Sequence, residues 1–258
     1  MGARTVVADV ADELARRVAA GRYAPGDLMP SVRGVAAEFG MNRATAQLIL
    51  TRLESYGFVR ARRGKGFTIR DVREEGGVEV YRRLFRLSMP TADLPTPDLA
   101  IAMFGDIVAM ERQILSDALL SFTATRQRID RRTLEHDIDA LETLACEAVP
   151  DPVRMLAAEV ALVRRLLGAL GHTMQRAVLN SIGEMIAEVP EAVAAYYAVG
   201  PELHVMVWRA LATVWDGGSP SPAQIEQFEN LFRTFHERVV DRFAELVTGP
   251  PESVSGAA

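Results

Sequence analysis

The sequence predicts a mainly α protein in two parts, a small helical segment closed by a two-stranded hairpin and, behind it, an all-α bundle of six or seven helices. Three observations predict it. Apolar residues recur at helical spacing through most of the chain. Two short apolar segments flank a basic glycine turn only once, near residues 58–69. Beyond residue 72 no alternating strand pattern occurs, and breaks rich in proline or glycine cut the apolar repeats into pieces of helix length. A length of 258 residues suits about two domains.

Val6, Val10, Leu14 and Val18 form one stripe of a helix over about 5–20 that Gly21 stops. In Tyr23-Ala24-Pro25-Gly26-Asp27-Leu28-Met29-Pro30 two prolines and a glycine enforce an extended turn. Ser31 caps a short second helix whose inner face is Val35, Ala36 and Phe39, and Gly40 ends it. Asn42 caps a third helix running to about Tyr56, with Ala46, Ile49, Leu50 and Leu53 inward.

Helix, glycine turn, helix is the helix-turn-helix pattern, whose second helix enters the major groove of DNA. Its N-terminal side chains suit that task. Arg43 can bond guanine bidentately, Gln47 can bond adenine, and Thr45 can reach a phosphate or a base. Phe58 to Ile69 then reads as a β-wing carrying Arg62, Arg63 and Lys65, which completes a winged helix-turn-helix over 1–72.

The polar run Asp71-Val72-Arg73-Glu74-Glu75-Gly76-Gly77 predicts a domain boundary. A helix follows over 78–87, and prolines make 90–97 a loop. Further helices are expected over 98–124, 130–147, 151–170, 173–187, 190–214 and 222–247, with Gly200-Pro201 dividing the fifth of these and 216–222 forming a loop. The second domain thus spans 78–248, and 249–258 reads as a disordered tail.

Composition narrows the function classes. No apolar run reaches the roughly 18 residues of a membrane helix, and the N-terminus lacks the apolar core of a signal peptide, so a cytoplasmic protein without a membrane partner is expected. A single cysteine, Cys146, excludes an internal disulfide and a cysteine-based zinc site, and it reads as a buried structural thiol. The net charge of −5 is unevenly placed: residues 1–72 carry +5 and the remainder −10. A basic front and an acidic rear fit a domain that meets a polyanion joined to one that does not. No glycine-rich phosphate loop, nucleophile motif or His-Glu-x-x-His occurs, which leaves a metal-dependent hydrolase built on Glu159 and the histidines as a remote alternative and a non-enzyme as the expectation.

Four motifs carry a family resemblance. Pro25-Gly26-Asp27-Leu28-Met29-Pro30-Ser31-Val32-Arg33, Phe39-Gly40-Met41-Asn42-Arg43-Ala44-Thr45, Leu53-Glu54-Ser55-Tyr56-Gly57-Phe58-Val59 and Arg63-Gly64-Lys65-Gly66-Phe67, in register, resemble the DNA-binding domain of the GntR family of transcriptional regulators. The resemblance implies double-stranded operator DNA as partner and places Arg33, Arg43, Thr45, Gln47, Arg63 and Gly64 at the DNA, and Asn42, Arg62 and Lys65 beside them complete the candidate DNA-binding set. Val32, Ala44 and Gln47 depart from the residues usual there.

A helical bundle behind such a wing resembles the FadR-like branch of that family. In its metal-binding form, an Asp, a His four residues later and two further His close a metal site that holds a carboxylate effector. Here Glu159 matches the Asp, Val163 replaces the first His, and His204 and His236 match the others. One carboxylate and two imidazoles can still bind a divalent metal such as zinc, so Glu159, His204 and His236 are the candidate metal ligands.

An apolar residue in place of that His also occurs in fatty-acid-responsive members, where the pocket takes acyl-CoA without metal. The resemblance therefore implies a homodimeric regulator, a repressor by type, that needs no cofactor and responds to an acyl-CoA or other apolar acid. Its effector residues would be Glu159, Val163, Arg164, Asn180, His204, Trp208 and His236. A metal-assisted sensor of a small carboxylate is the alternative.

Overall fold

A computed structural model describes residues 3–91, 97–124, 131–217 and 221–249 of the chain. It divides into two compact units, Met1–Ala100 and Ile101–Ala258.

In the first unit, α1 (Ala3–Ala19), α2 (Val32–Glu38) and α3 (Arg43–Ser55) precede a hairpin of β1 (Val59–Arg62) and β2 (Gly66–Ile69), and α4 (Val78–Leu87) follows. The two caps work as the sequence predicts. Ser31 accepts from Gly34 N at 3.2 Å and Asn42 from Thr45 N at 2.8 Å, each satisfying an amide with no helical partner. Ala46, Ile49, Leu50 and Leu53 of α3 meet Ala11, Leu14, Ala15 and Val18 of α1 and Val35 and Ala36 of α2 in the core. The α1 stripe thus runs through Ala11 and Ala15, while Val6, near the start of the helix, is exposed.

The hairpin is antiparallel, pairing Val59 with Ile69 and Arg62 with Gly66. Its tip turns through Gly64 at φ +72° and Gly66 at φ +94°, the left-handed region that side chains disfavour. The extended turn lies along the outer edge of β2: Gly26 N bonds Ile69 O at 3.0 Å, Ile69 N bonds Asp27 O at 2.8 Å and Met29 N bonds Phe67 O at 2.8 Å. On the other side, Glu54 of α3 accepts from Ala61 N at 2.6 Å.

The stretch 71–77 does not separate the units. Helix α4 packs on α1, where the Arg86 guanidinium lies 2.9 Å from Asp12 Oδ2, and Leu84, Phe85 and Leu87 are buried. The compact division therefore falls after residue 100, and helix α4, expected to open the second domain, packs with the first.

Seven helices follow: α5 (Asp98–Ala124), α6 (Arg131–Ala145), α7 (Pro152–Ala169), α8 (Thr173–Ala187), α9 (Pro190–Tyr197), α10 (Pro201–Gly217) and α11 (Pro222–Thr248). No strand accompanies them among the described residues, as the patterning predicts. Asp151 caps α7 with Pro152 in its first turn, and Ser221 and Gln224 form a reciprocal capping box on α11. Gly200, at φ +106°, divides α9 from α10. Helices α7 and α8 approach closely at Gly183, where a Cβ would stand 2.9 Å from Val160 Cγ2.

Cys146 follows the end of α6 in a turn and is exposed, which corrects the expected buried thiol. The expected tail lies outside the described residues from 250 onward, as do 92–96 and 218–220 of the expected loops. No described helix is long and apolar enough to cross a membrane.

Candidate functional site

In the first unit, five cations without a partner among the described residues lie on α2, the start of α3 and the wing. Arg33 near the start of α2, Arg43 at the start of α3, and Arg62, Arg63 and Lys65 on the wing are all exposed. None of the five side chains makes a hydrogen bond or ion pair within the described residues, although the other arginines of this unit commonly do. Arg16 and Arg17 pair with Glu13, Arg52 donates to Tyr56 Oη at 2.6 Å, Arg70 pairs with Glu75, and Arg83 covers the Tyr56 ring at 3.6 Å. Cations spent on such internal contacts hold the fold, whereas unspent cations are free to neutralise phosphates.

The polar residues on α3 divide similarly. Asn42 Oδ1 is committed to the cap and also accepts from Thr45 Oγ1 at 3.1 Å, which leaves the Asn42 amide group and the Thr45 lone pairs for an outside partner. Gln47 is exposed, with its amide 3.4 Å from Thr51 Oγ1. Gly64 at the wing tip is exposed, and nothing lies within 4 Å of the space a Cβ would fill.

The second unit holds a cavity of about 70 Å³. Glu159, Val163, His204, Trp208 and His236 all line it. Arg164 and Asn180 do not: Arg164 is exposed, and Asn180 is half-buried with its Oδ1 unpartnered. The cavity also has lining that the sequence reading missed, chiefly Glu111, Tyr196, Phe232 and Phe235. Glu111 had a legible signal, because it continues the buried stripe of Phe104, Ile107 and Val108 on α5, where a carboxylate is out of place. Tyr196 had none, since a tyrosine in an apolar helix reads as core.

Glu159 is the hub of the polar wall. Tyr197 Oη donates to its Oε2 at 2.6 Å, Trp208 Nε1 donates to its Oε1 at 3.0 Å, and His204 Nδ1 lies 3.0 Å from both oxygens. The other ring nitrogen, His204 Nε2, faces Tyr196 O at 3.1 Å. Both neighbours of the imidazole are acceptors, so both nitrogens must donate and the ring is an imidazolium. Burial works against charge on both groups. It is outweighed by their mutual attraction and hydrogen bonds, which lower the Glu159 carboxyl and raise the His204 imidazole from their ordinary ranges.

Glu111 and His236 form a second pair with the opposite character. Burial, reinforced by the Glu159 charge, pushes the Glu111 carboxyl up to about 8, and Tyr196 Oη donates to it. Burial and the charge of Arg112 push His236 down to about 4, and its Nε2 stands 3.9 Å from Glu111 Oε2.

This chemistry does not fit the expected metal set of Glu159, His204 and His236. A histidine ligand offers a free lone pair, and His204 has both nitrogens committed to acceptors. Among the described residues no group of three His, Cys, Asp or Glu side chains could hold a metal ion. The expected triad is corrected to a buried ion pair beside a second, uncharged pair.

Comparison with known proteins bears chiefly on the first unit. Residues 7–69 match the family model described as bacterial regulatory proteins, gntR family. The HTH-type transcriptional regulator Mce2R of Mycobacterium tuberculosis is 35% identical over 81 residues, 31% of this chain and 34% of that protein. The match thus spans about a third of the curated relative's length. The fatty acid metabolism regulator protein of Edwardsiella ictaluri is 24% identical over 182 residues, 70% of this chain and 67% of its own. The fold as a whole is similar to a solved structure titled as Lar, which controls expression of the Listeria monocytogenes agr system. That likeness has a TM-score of 0.55 at 12% identity and covers 93% of this chain and 97% of the other. The family and these curated relatives are transcriptional regulators, not enzymes.

Proposed function

We propose that this chain is a GntR-type transcriptional regulator whose winged helix-turn-helix grips double-stranded operator DNA and whose seven-helix unit takes a small-molecule effector. The single observation that carries the DNA reading is the set of five exposed, unpaired cations on α2, the start of α3 and the wing. Arg33 and the wing residues Arg62, Arg63 and Lys65 neutralise phosphates, while Arg43 enters the major groove to bond guanine. A homodimer would set two such units on the two halves of a palindromic site.

The experiment is selection of DNA from a randomised double-stranded pool by the full-length protein, followed by fluorescence anisotropy at one fixed salt concentration. Arg43→Ala is expected to weaken binding to the selected DNA by about 1 to 3 kcal/mol. Unchanged affinity would remove Arg43 from the interface.

For the effector, the lining supports an apolar ligand. Val163 occupies the position expected of a metal-binding His, no Lys or Arg lines the cavity among the described residues, and its described walls are mostly Leu, Val and Phe. An acyl chain or the tail of another apolar acid suits those walls, and the partial likeness to a fatty acid metabolism regulator supports the same reading. The cavity of about 70 Å³ is roughly half the ~150 Å³ that accommodates benzene, so a long chain enters only as the helices part. The phosphates of an acyl-CoA would have to find cations outside this lining.

A further inference from the structure

Helix α3 presents a second surface that its cations do not explain. Ala44, Leu48 and Thr51 stand at i, i+4 and i+7, so they share one face, opposite the buried Ala46, Ile49, Leu50 and Leu53. All three are exposed, and Leu48 is 60% exposed, among the most exposed large apolar side chains of the protein. Beyond Arg43 this face has no unspent charge, because Arg52 is held by Tyr56. What remains is the methyl groups of Ala44, Leu48 and Thr51, flanked by the amide of Gln47, which donates to the Thr51 hydroxyl at 3.4 Å.

In the major groove, the one apolar feature on the base edges is the C5-methyl of thymine, and the amide of a Gln matches the N6 and N7 of adenine. Leu48 and Gln47 therefore complement the two halves of an A·T pair from adjacent positions on the helix. Arg43, about one turn nearer the N-terminus, complements guanine.

Resting on the DNA-binding reading above, we propose that Leu48, flanked by Ala44, is a specificity-determining residue that reads thymine methyl groups. The recognised half-site would then place A·T pairs beside the guanine taken by Arg43. Water leaves Leu48 and the methyl together, so the gain is lost when either is missing.

DNA enriched from the randomised pool is remade with deoxyuridine in place of each thymine in turn, which removes only the methyl. Binding of the wild-type protein and of Leu48→Ala is then measured by anisotropy at one salt concentration. The wild type is expected to lose about fourfold in affinity at one or more thymines per half-site, the worth of one buried methyl. Leu48→Ala is expected to bind the thymine DNA more weakly but to lose less than about twofold at those same positions, because the two changes remove one shared contact. Since Leu48 is exposed, Leu48→Ala should keep the wild-type melting temperature, and circular dichroism checks this. Enriched DNA on which uracil is harmless everywhere, or harms both proteins equally, overturns the proposal and leaves the DNA reading standing. A pool with no enriched sequence overturns both.

Discussion

At the scale of single residues, the second unit holds two acid–imidazole pairs in opposite protonation states. Glu159 and His204 are both charged, while burial holds Glu111 and His236 neutral near pH 7. The Glu111 carboxyl is raised from the ordinary carboxylate range to about 8, so the folded state holds its proton more tightly than the unfolded chain does. That stabilisation is complete at low pH and is lost as pH rises through about 8. Glu111→Gln keeps the shape and removes the titration. Its melting temperature should fall less than that of the wild type between about pH 5 and 8, and parallel curves from calorimetry at a series of pH values would reject the assignment. His204 has the same sign but is present in both proteins, so the difference isolates Glu111. Glu159, His204 and His236 could be found in the sequence from a family pattern, but their states could not. Protonation depends on Tyr197, Trp208 and a backbone carbonyl that come from other helices or another turn, and no spacing rule brings these together.

At the scale of elements, local signals located nearly every helix because each carries its own stop and start. Asn42, Asp151 and Ser221 cap, Gly40 and Gly200 break, and proline opens α7, α9, α10 and α11. Helix α4 was legible as a helix but not as a member of the first unit, since the sequence does not show that Arg86 meets Asp12. Equally hidden was the crossing of α7 and α8, where Gly183 admits Val160. Gly183→Ala, though it favours helix, should destabilise the protein by about 1 to 3 kcal/mol through overpacking. Gly183→Ala with Val160→Ala should recover part of that loss, and urea unfolding of the two variants measures it. A single variant as stable as the wild type would show that the helices part freely there.

At the scale of the whole molecule, the sequence's division of charge, +5 over residues 1–72 and −10 beyond, matches the two tasks proposed above. The basic part bears the five exposed cations of α2, the start of α3 and the wing. The acidic part bears the cavity, whose lining among the described residues includes no Lys or Arg. Native mass spectrometry of freshly purified protein is expected to give a dimer, with any co-purifying mass that of an apolar small molecule. A monomer that still binds the selected DNA at full affinity would reject the two-half-site arrangement.

The edge that residues 26–29 add to β2 governs how the wing behaves as a lever. Since three backbone bonds fasten β2 to the turn between α1 and α2, only residues 63–65 protrude beyond the paired strands. The amides of Arg63 and Gly64 should exchange with solvent deuterium quickly, and those of Gly26, Met29 and Ile69 slowly. In the DNA-bound form proposed above, the conformational entropy lost when the wing settles on a phosphate would be confined to three residues.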